Sequence, residues 1–248
     1  MAVKNVAIKT KPDAIRHAQS DGGMGVYLKR IFALMFGAVA VTALTSWLTI
    51  STPLGGILVT AHGSLSAVYY ILLFGGLGLS IWAQARAFSF KPSTGALLLF
   101  LYAVIMGIVI SPLLLMIISQ ANMMSIPMAF GIAAAMFACM AIFGYKTVKN
   151  LSFLGIFLFM GMIGLLLVGV ASLIWPTIIS GTFGTIVSII GVLVFALFTA
   201  YDMQTLKNAY AMGGDETRKN QLAVLGALQL YISFIAMFQY LLDLLNRN

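Results

Sequence analysis

Seven apolar runs, each long enough to cross a bilayer, constrain this chain more than any other feature. A hydrocarbon core about 30 Å thick requires roughly 20 helical residues to span it. The runs fall at about 31–50, 65–83, 95–118, 127–144, 151–173, 182–202 and 222–242 of 248 residues. What remains is a 30-residue N-terminal tail and short connections, too little for a separate soluble domain. The fold class is therefore an all-α integral membrane protein, a seven-transmembrane-helix bundle over residues 31–248 preceded by a basic tail at 1–30. Composition agrees: 61% of residues are hydrophobic and 8% charged, whereas soluble domains carry about 25% charged residues.

The basic residues orient the bundle. The tail up to the first run carries Lys4, Lys9, Lys11, Arg16, Lys29 and Arg30. The connection after the second run carries Arg86 and Lys91, that after the fourth Lys146 and Lys149, and that after the sixth Lys207, Arg218 and Lys219. The segments near 51–63, 119–126 and 174–181 carry none, and Arg247 alone follows the seventh run. Positive charge concentrates on cytoplasmic loops, so an alternation of basic and neutral connections predicts a cytoplasmic N-terminus. The net charge of +8 reads as attraction to anionic headgroups, not as a nucleic-acid footprint. The first run is too long for the h-region of a signal peptide, about 7–15 residues, and no small-residue cleavage site follows it; it is expected to be a retained span.

Several function classes lack residues. A single cysteine, Cys139, forms no disulfide within the chain, and with His17 and His62 as the only histidines no ordinary Cys/His zinc site can be assembled. There is no H-E-x-x-H and no G-x-S-x-G elbow. The chain is expected to be non-enzymatic and to need no cofactor. Gly213, Gly214 and Asp215 read as a turn followed by solvated charges. The fifteen methionines read as gap-filling core, and the small residues Ala38, Thr42 and Ser46 as one face of the first helix that admits a close neighbour.

Polar groups inside the spans are the functional candidates, because they are costly in lipid. Asp202 closes the sixth run and reads either as a functional acid or as an interfacial one near Lys207. In the seventh run Gly226, Gln229, Ser233, Ala236, Tyr240 and Asp243 are spaced 3, 4, 3, 4 and 3 apart. That spacing puts small and polar residues on one stripe of a helix, which is expected to face the bundle interior.

Three strings, FGYKTVKNLSFLGIFLFMGMIGLLL, SIIGVLVFALFTAYDMQTLK and GALQLYISFIAMFQYLLDLLN, resemble spans four to seven of the Bax inhibitor-1 (transmembrane Bax-inhibitor-motif) family in its bacterial form. The resemblance implies a central seventh helix, residence in the bacterial inner membrane, and one of two roles. One is a pH-sensitive calcium leak gated by a hydrogen-bonded aspartate pair on helices six and seven. The other is modulation of a membrane-bound ATP-dependent protease or stress response. Asp202 falls on the helix-six position, and Arg86 on a basic position that bridges to the pair. Helix seven of the family commonly reads Leu-Tyr-Leu-Asp-Phe-Ile-Asn, whereas this chain reads LYISFIA. Ser233 therefore stands in the place of the aspartate and Ala236 in that of the asparagine. Asp243 lies ten residues further, about 15 Å along the helix at 1.5 Å per residue, and cannot substitute. The implied pore and pH-sensing set is Asp202, Ser233, Arg86 and Gln229. Two carboxylates sharing a site titrate as a coupled pair; one carboxylate facing a serine lacks that coupling. Calcium favours six to eight oxygens with several carboxylates among them, so Asp202 is a weak calcium ligand at best. The expected function is ion or membrane homeostasis, with calcium or protons as permeant ions and the lipid bilayer as the constant partner.

Overall fold

A computed structural model of the chain describes residues 22–59 and 65–247. Seven long apolar helices carry the fold: α1 (Gly22–Ser51), α2 (Ala67–Ala85), α3 (Pro92–Ser119), α4 (Ser125–Lys146), α5 (Ser152–Ile174), α6 (Gly181–Ala211) and α7 (Glu216–Leu245). A single helical turn at Gly55–Leu58 and a bridge between Val59 and Leu65 join α1 to α2. A 3-10 turn at Pro176–Ile179 joins α5 to α6. Helices suit this solvent because every backbone N–H and C=O is satisfied within its own segment. Lys4, Lys9, Lys11, Arg16 and both histidines lie outside the described residues.

The helices outrun the apolar stretches that announced them. α1 begins at Gly22 and takes up residues assigned to the tail; α6 continues past Asp202 to Ala211; α7 begins at Glu216 rather than near 222. An apolar run marks only the part of a helix in hydrocarbon, whereas the helix itself continues to its capping residues. At α7 that cap is explicit. Gly213 and Gly214 adopt φ of 79° and 141°, and the Asp215 carboxylate accepts from the Arg218 backbone N–H at 3.2 Å. A carboxylate there satisfies an orphan donor of the first turn and faces the positive end of the helix dipole.

α7 is the axis of the bundle, packed against α1, α3, α4 and α6, while α2 lies mainly on α3 and α5 mainly on α6. The core wraps it: Leu230, Tyr231, Phe234, Met237 and Leu242 are fully buried, as are Ile31 and Met35 of α1 and Leu99 of α3. Phe234 stacks edge-to-face with Phe130 and Phe137 of α4. The outward surface is apolar, with Phe153, Ile156, Phe157 and Met160 of α5 all exposed, as a lipid-facing helix requires.

The connections sort by charge as the alternation predicted. At one end, Arg30 of α1 hydrogen-bonds Asn220 of α7, and Gln221 donates to the Phe88 and Phe90 carbonyls in the α2–α3 connection. Lys207 of α6 reaches the C-terminus of α4 there as well. Nine of the described Lys and Arg residues belong to this end, and Arg247 belongs to the opposite one.

Candidate functional site

The polar stripe of α7 faces α6 along its whole length. Gly226 leaves room for the Leu206 side chain, Ser233 meets Asp202, the Tyr240 ring covers Gly191 and stacks on Phe195, and Asp243 accepts from Ser188. The spacing that suggested an interior face therefore marks one antiparallel helix–helix seam. Small residues let the two backbones approach, and each polar group of the stripe that hydrogen-bonds does so across the seam, the economical arrangement in a solvent without donors.

Asp202 is buried, and α6 continues nine residues beyond it, about 14 Å at the helical rise. The acid thus sits within the bundle rather than at the end of its span, and this is what brings it level with Ser233. The Ser233 hydroxyl donates to Asp202 Oδ2 at 3.5 Å, a long contact at the limit of hydrogen bonding. Neighbours on α6 are not competitors for it: the Thr199 hydroxyl, fully buried, is spent on the Phe195 carbonyl. Two residues before Asp202, the Ala200 backbone presses on α4 at Gly144, where any Cβ would collide with it. Tyr201 turns the other way, its ring lying over Gly155 of α5. The Tyr-Asp pair thus divides between two neighbours.

The remaining sequence candidates fall elsewhere. Arg86 is the exposed C-cap of α2, its backbone N–H bonded to Trp82 O. Among the described residues its side chain forms no ion pair or hydrogen bond, with Asp202 or otherwise. α2 rests mainly on α3. Gln229 is half-buried, one turn before Ser233 on the same seam. Lys207 does not answer Asp202 either. Its ammonium donates to the Tyr145 carbonyl at 2.7 Å and lies 5.6 Å from the Tyr145 ring centroid, closing the C-terminus of α4. Among the described residues the ion pairs are Lys219–Glu216 and Arg247–Asp243, so Asp202 faces a hydroxyl with no cation beside it.

Two contacts escaped the sequence reading. Gln204, buried two residues past Asp202, donates to Lys149 O at 2.7 Å and accepts from Leu151 N at 2.9 Å, pinning the α4–α5 connection to α6. An uncharged amide at the tail of an apolar run was its one visible signal. On the opposite side of α7, the Tyr231 hydroxyl meets Thr42 Oγ1 at 2.6 Å, and the single Thr42 hydroxyl proton is within reach of the Ala38 and Ala103 carbonyls, each 3.0 Å away. This is the close face of α1: Ala38, Thr42 and Ser46 are all buried, and Gly107 of α3 leaves no room for a Cβ against Thr42 and Thr45. Among the described residues no three His, Cys, Asp or Glu side chains converge as a metal-binding group. One carboxylate and one hydroxyl fall well short of a calcium cage.

The family described as "Inhibitor of apoptosis-promoting Bax1" matches residues 24–248. The chain belongs to the Bax inhibitor-1 family. It is 32% identical over 223 residues to an uncharacterized protein of Borreliella burgdorferi, covering 90% of this chain and 92% of that one. To the inner membrane protein YbhL of Escherichia coli it is 32% identical over 237 residues, 93% of this chain and 95% of that one. A Rickettsia prowazekii relative is 28% identical over 242 residues, 97% of each. With seven membrane-length helices and relatives of this kind, this Bax inhibitor-1 protein is a multi-pass protein of the bacterial inner membrane.

Proposed function

We propose that this protein is a non-enzymatic, pH-sensitive cation leak in ion homeostasis, with its basic end toward the cytoplasm and its control point at the Asp202–Ser233 contact. The observation that carries the reading is a carboxylate buried between α6 and the central α7 with a lone hydroxyl partner. Ionised and neutral forms of such a group make opposite demands. A carboxylate in a low-dielectric interior requires water or a cation, whereas a carboxylic acid is satisfied by a single acceptor. Gain or loss of one proton therefore favours different separations of α6 and α7, and an opened seam admits the cation that the charged form needs. Ser233 in place of a second acid leaves one titrating group where a pair would give two coupled steps.

The test is calcium flux into proteoliposomes at pH 6, 7 and 8. The unaltered protein is expected to show a pH response of single-proton steepness. Asp202→Asn is expected to flatten that response, and Ser233→Asp to broaden it into two steps. Flux and pH response unchanged by Asp202→Asn would remove Asp202 from the mechanism.

The replacement of the second acid by Ser233 also favours a non-conducting role, in which the bundle modulates a membrane-bound quality-control protease. Copurification from native membranes separates the two: a protease recovered reproducibly, together with absent flux, selects the modulator.

A further inference from the structure

The far end of the α6–α7 seam carries a second polar assembly. A cavity of about 260 Å³ opens between the C-termini of α3 and α7 and the turn before α6, and its polar lining includes Gln120, Ser180, Asp243, Asn246 and Arg247. Arg247 Nε lies 2.7 Å from Asp243 Oδ2, and its Nη1 donates to the Ile179 carbonyl. Ser188, itself buried, donates to the same Asp243 oxygen. Gly184 makes the space: a Cβ there would strike the guanidinium and the Ile179 carbonyl together. The guanidinium side chain is 19% exposed, less than the 37% of the carboxylate it answers. This is therefore a seated cation and not a rim contact.

We infer that Asp243 and the Ile179 carbonyl form a site for hard metal cations, and that Arg247 occupies it as a tethered competitor. The oxygens that Arg247 contacts are those a metal ion would use. The Asp243 carboxylate supplies charge, the Ile179 carbonyl is a neutral ligand, and Gln120 and Ser180 line the cavity around them, while Asn246 Oδ1 is taken up by the Asn122 amide at 2.9 Å. Hard divalent and trivalent cations take such oxygen sets, completing their shells with water. Arg247 is held four residues from Asp243 on one helical face, so it competes at an effective concentration of at least about millimolar. Removing it is therefore expected to raise apparent metal affinity about tenfold or more. The site differs from Asp202 in element position and ligands, since Asp243 lies ten residues along α7 from Ser233. The Tyr240 ring, stacked on Phe195 over Gly191, separates the two.

Terbium binding to the detergent-solubilised full chain tests this directly, because Tyr240, one turn from Asp243, can sensitise terbium luminescence. Arg247→Gln is expected to raise terbium affinity at least tenfold, and the gain is expected to vanish in Arg247→Gln/Asp243→Asn. Arg247 follows the C-cap of α7, so its replacement interrupts no span. If Arg247→Gln nevertheless fails to fold, Arg247→Lys decides, since a lone ammonium cannot hold Asp243 and Ile179 O in the same way; a smaller gain of the same sign is expected. An affinity unchanged in the folded variants, or a gain that survives loss of Asp243, overturns the site. The consequence for transport rests on the leak reading: there, Arg247→Gln raises calcium entry from the side of α7's C-terminus. Terbium gained without altered flux upholds the site and counts against the leak, so the two failures are distinguishable.

Discussion

α5 and α7 are both membrane-length helices, yet they are put to opposite uses. In its most apolar stretch α5 has a mean hydropathy of 2.6 and 11% of its residues buried, whereas α7 has 1.8 and 72%. The more apolar helix lies outside. In water the order would be reversed, because burial of apolar surface drives folding. In lipid, association draws on close packing and on satisfying polar groups, so the helix with the most polar atoms gains most from the centre. α7 carries Gln229, Tyr231, Ser233, Tyr240 and Asp243 inward, whereas α5 presents Phe153, Phe157 and Ile163 to the bilayer.

Four measurements sharpen or break that contrast, each read as an unfolding midpoint in mild detergent. The largest effect is expected at Gly144, where a side chain would meet the Ala200 backbone, which cannot swing aside. Gly144→Leu should leave little folded protein, while Gly164→Leu on α5, with nothing within 4 Å of its Cβ position, should be silent. Next is Phe234→Ala, which empties an aromatic cluster against α4 and is expected to cost about 3 kcal/mol. Phe157→Ala, already facing lipid, should cost under about 0.5 kcal/mol. Equal costs at the two phenylalanines would mean that α7 is not the packed axis.

Gln204→Leu comes third. It removes the two hydrogen bonds to the α4–α5 connection and is expected to cost about 1–2 kcal/mol while exposing residues 147–151 to added protease. Unaltered cleavage would show that the connection is held by other contacts. The smallest effect belongs to Thr42→Val, which keeps the shape and deletes the hydroxyl facing Tyr231, at about 0.6 kcal/mol.

How far the site was legible varies by residue. The stripe from Gly226 to Asp243 was readable because helical geometry alone puts those positions on one face. Asp202 was readable as a candidate and misplaced in depth: Asp202, Gln204 and Lys207 lower the hydropathy and truncate the apparent run, although the helix continues for nine residues. Their polar atoms find partners on α7 and in the α4–α5 connection, so they need no exit from the bundle. Arg86 was assigned by its place at the end of the second run, and chain position carries no information about whether α2 borders α6. The Thr42–Tyr231 bond joins residues 189 apart, and neither residue type at its own position announces the other.

The amino-acid sequence by itself determined the number of spans, the segregation of basic residues to one end and the face that α7 turns inward. These follow from local quantities: the length of an apolar run against the bilayer, the charge of each connection and the 3.6-residue period. The tertiary structure alone decided how the rest of the inward face seats on α6, that the Asp202–Ser233 contact implied by the family resemblance has no cation beside it, and that Arg247 closes over Asp243. The reason is physical. In a uniformly apolar bundle every helix has several surfaces of similar greasiness, and which two meet is settled by where glycines permit contact and which polar atoms then come within reach of one another.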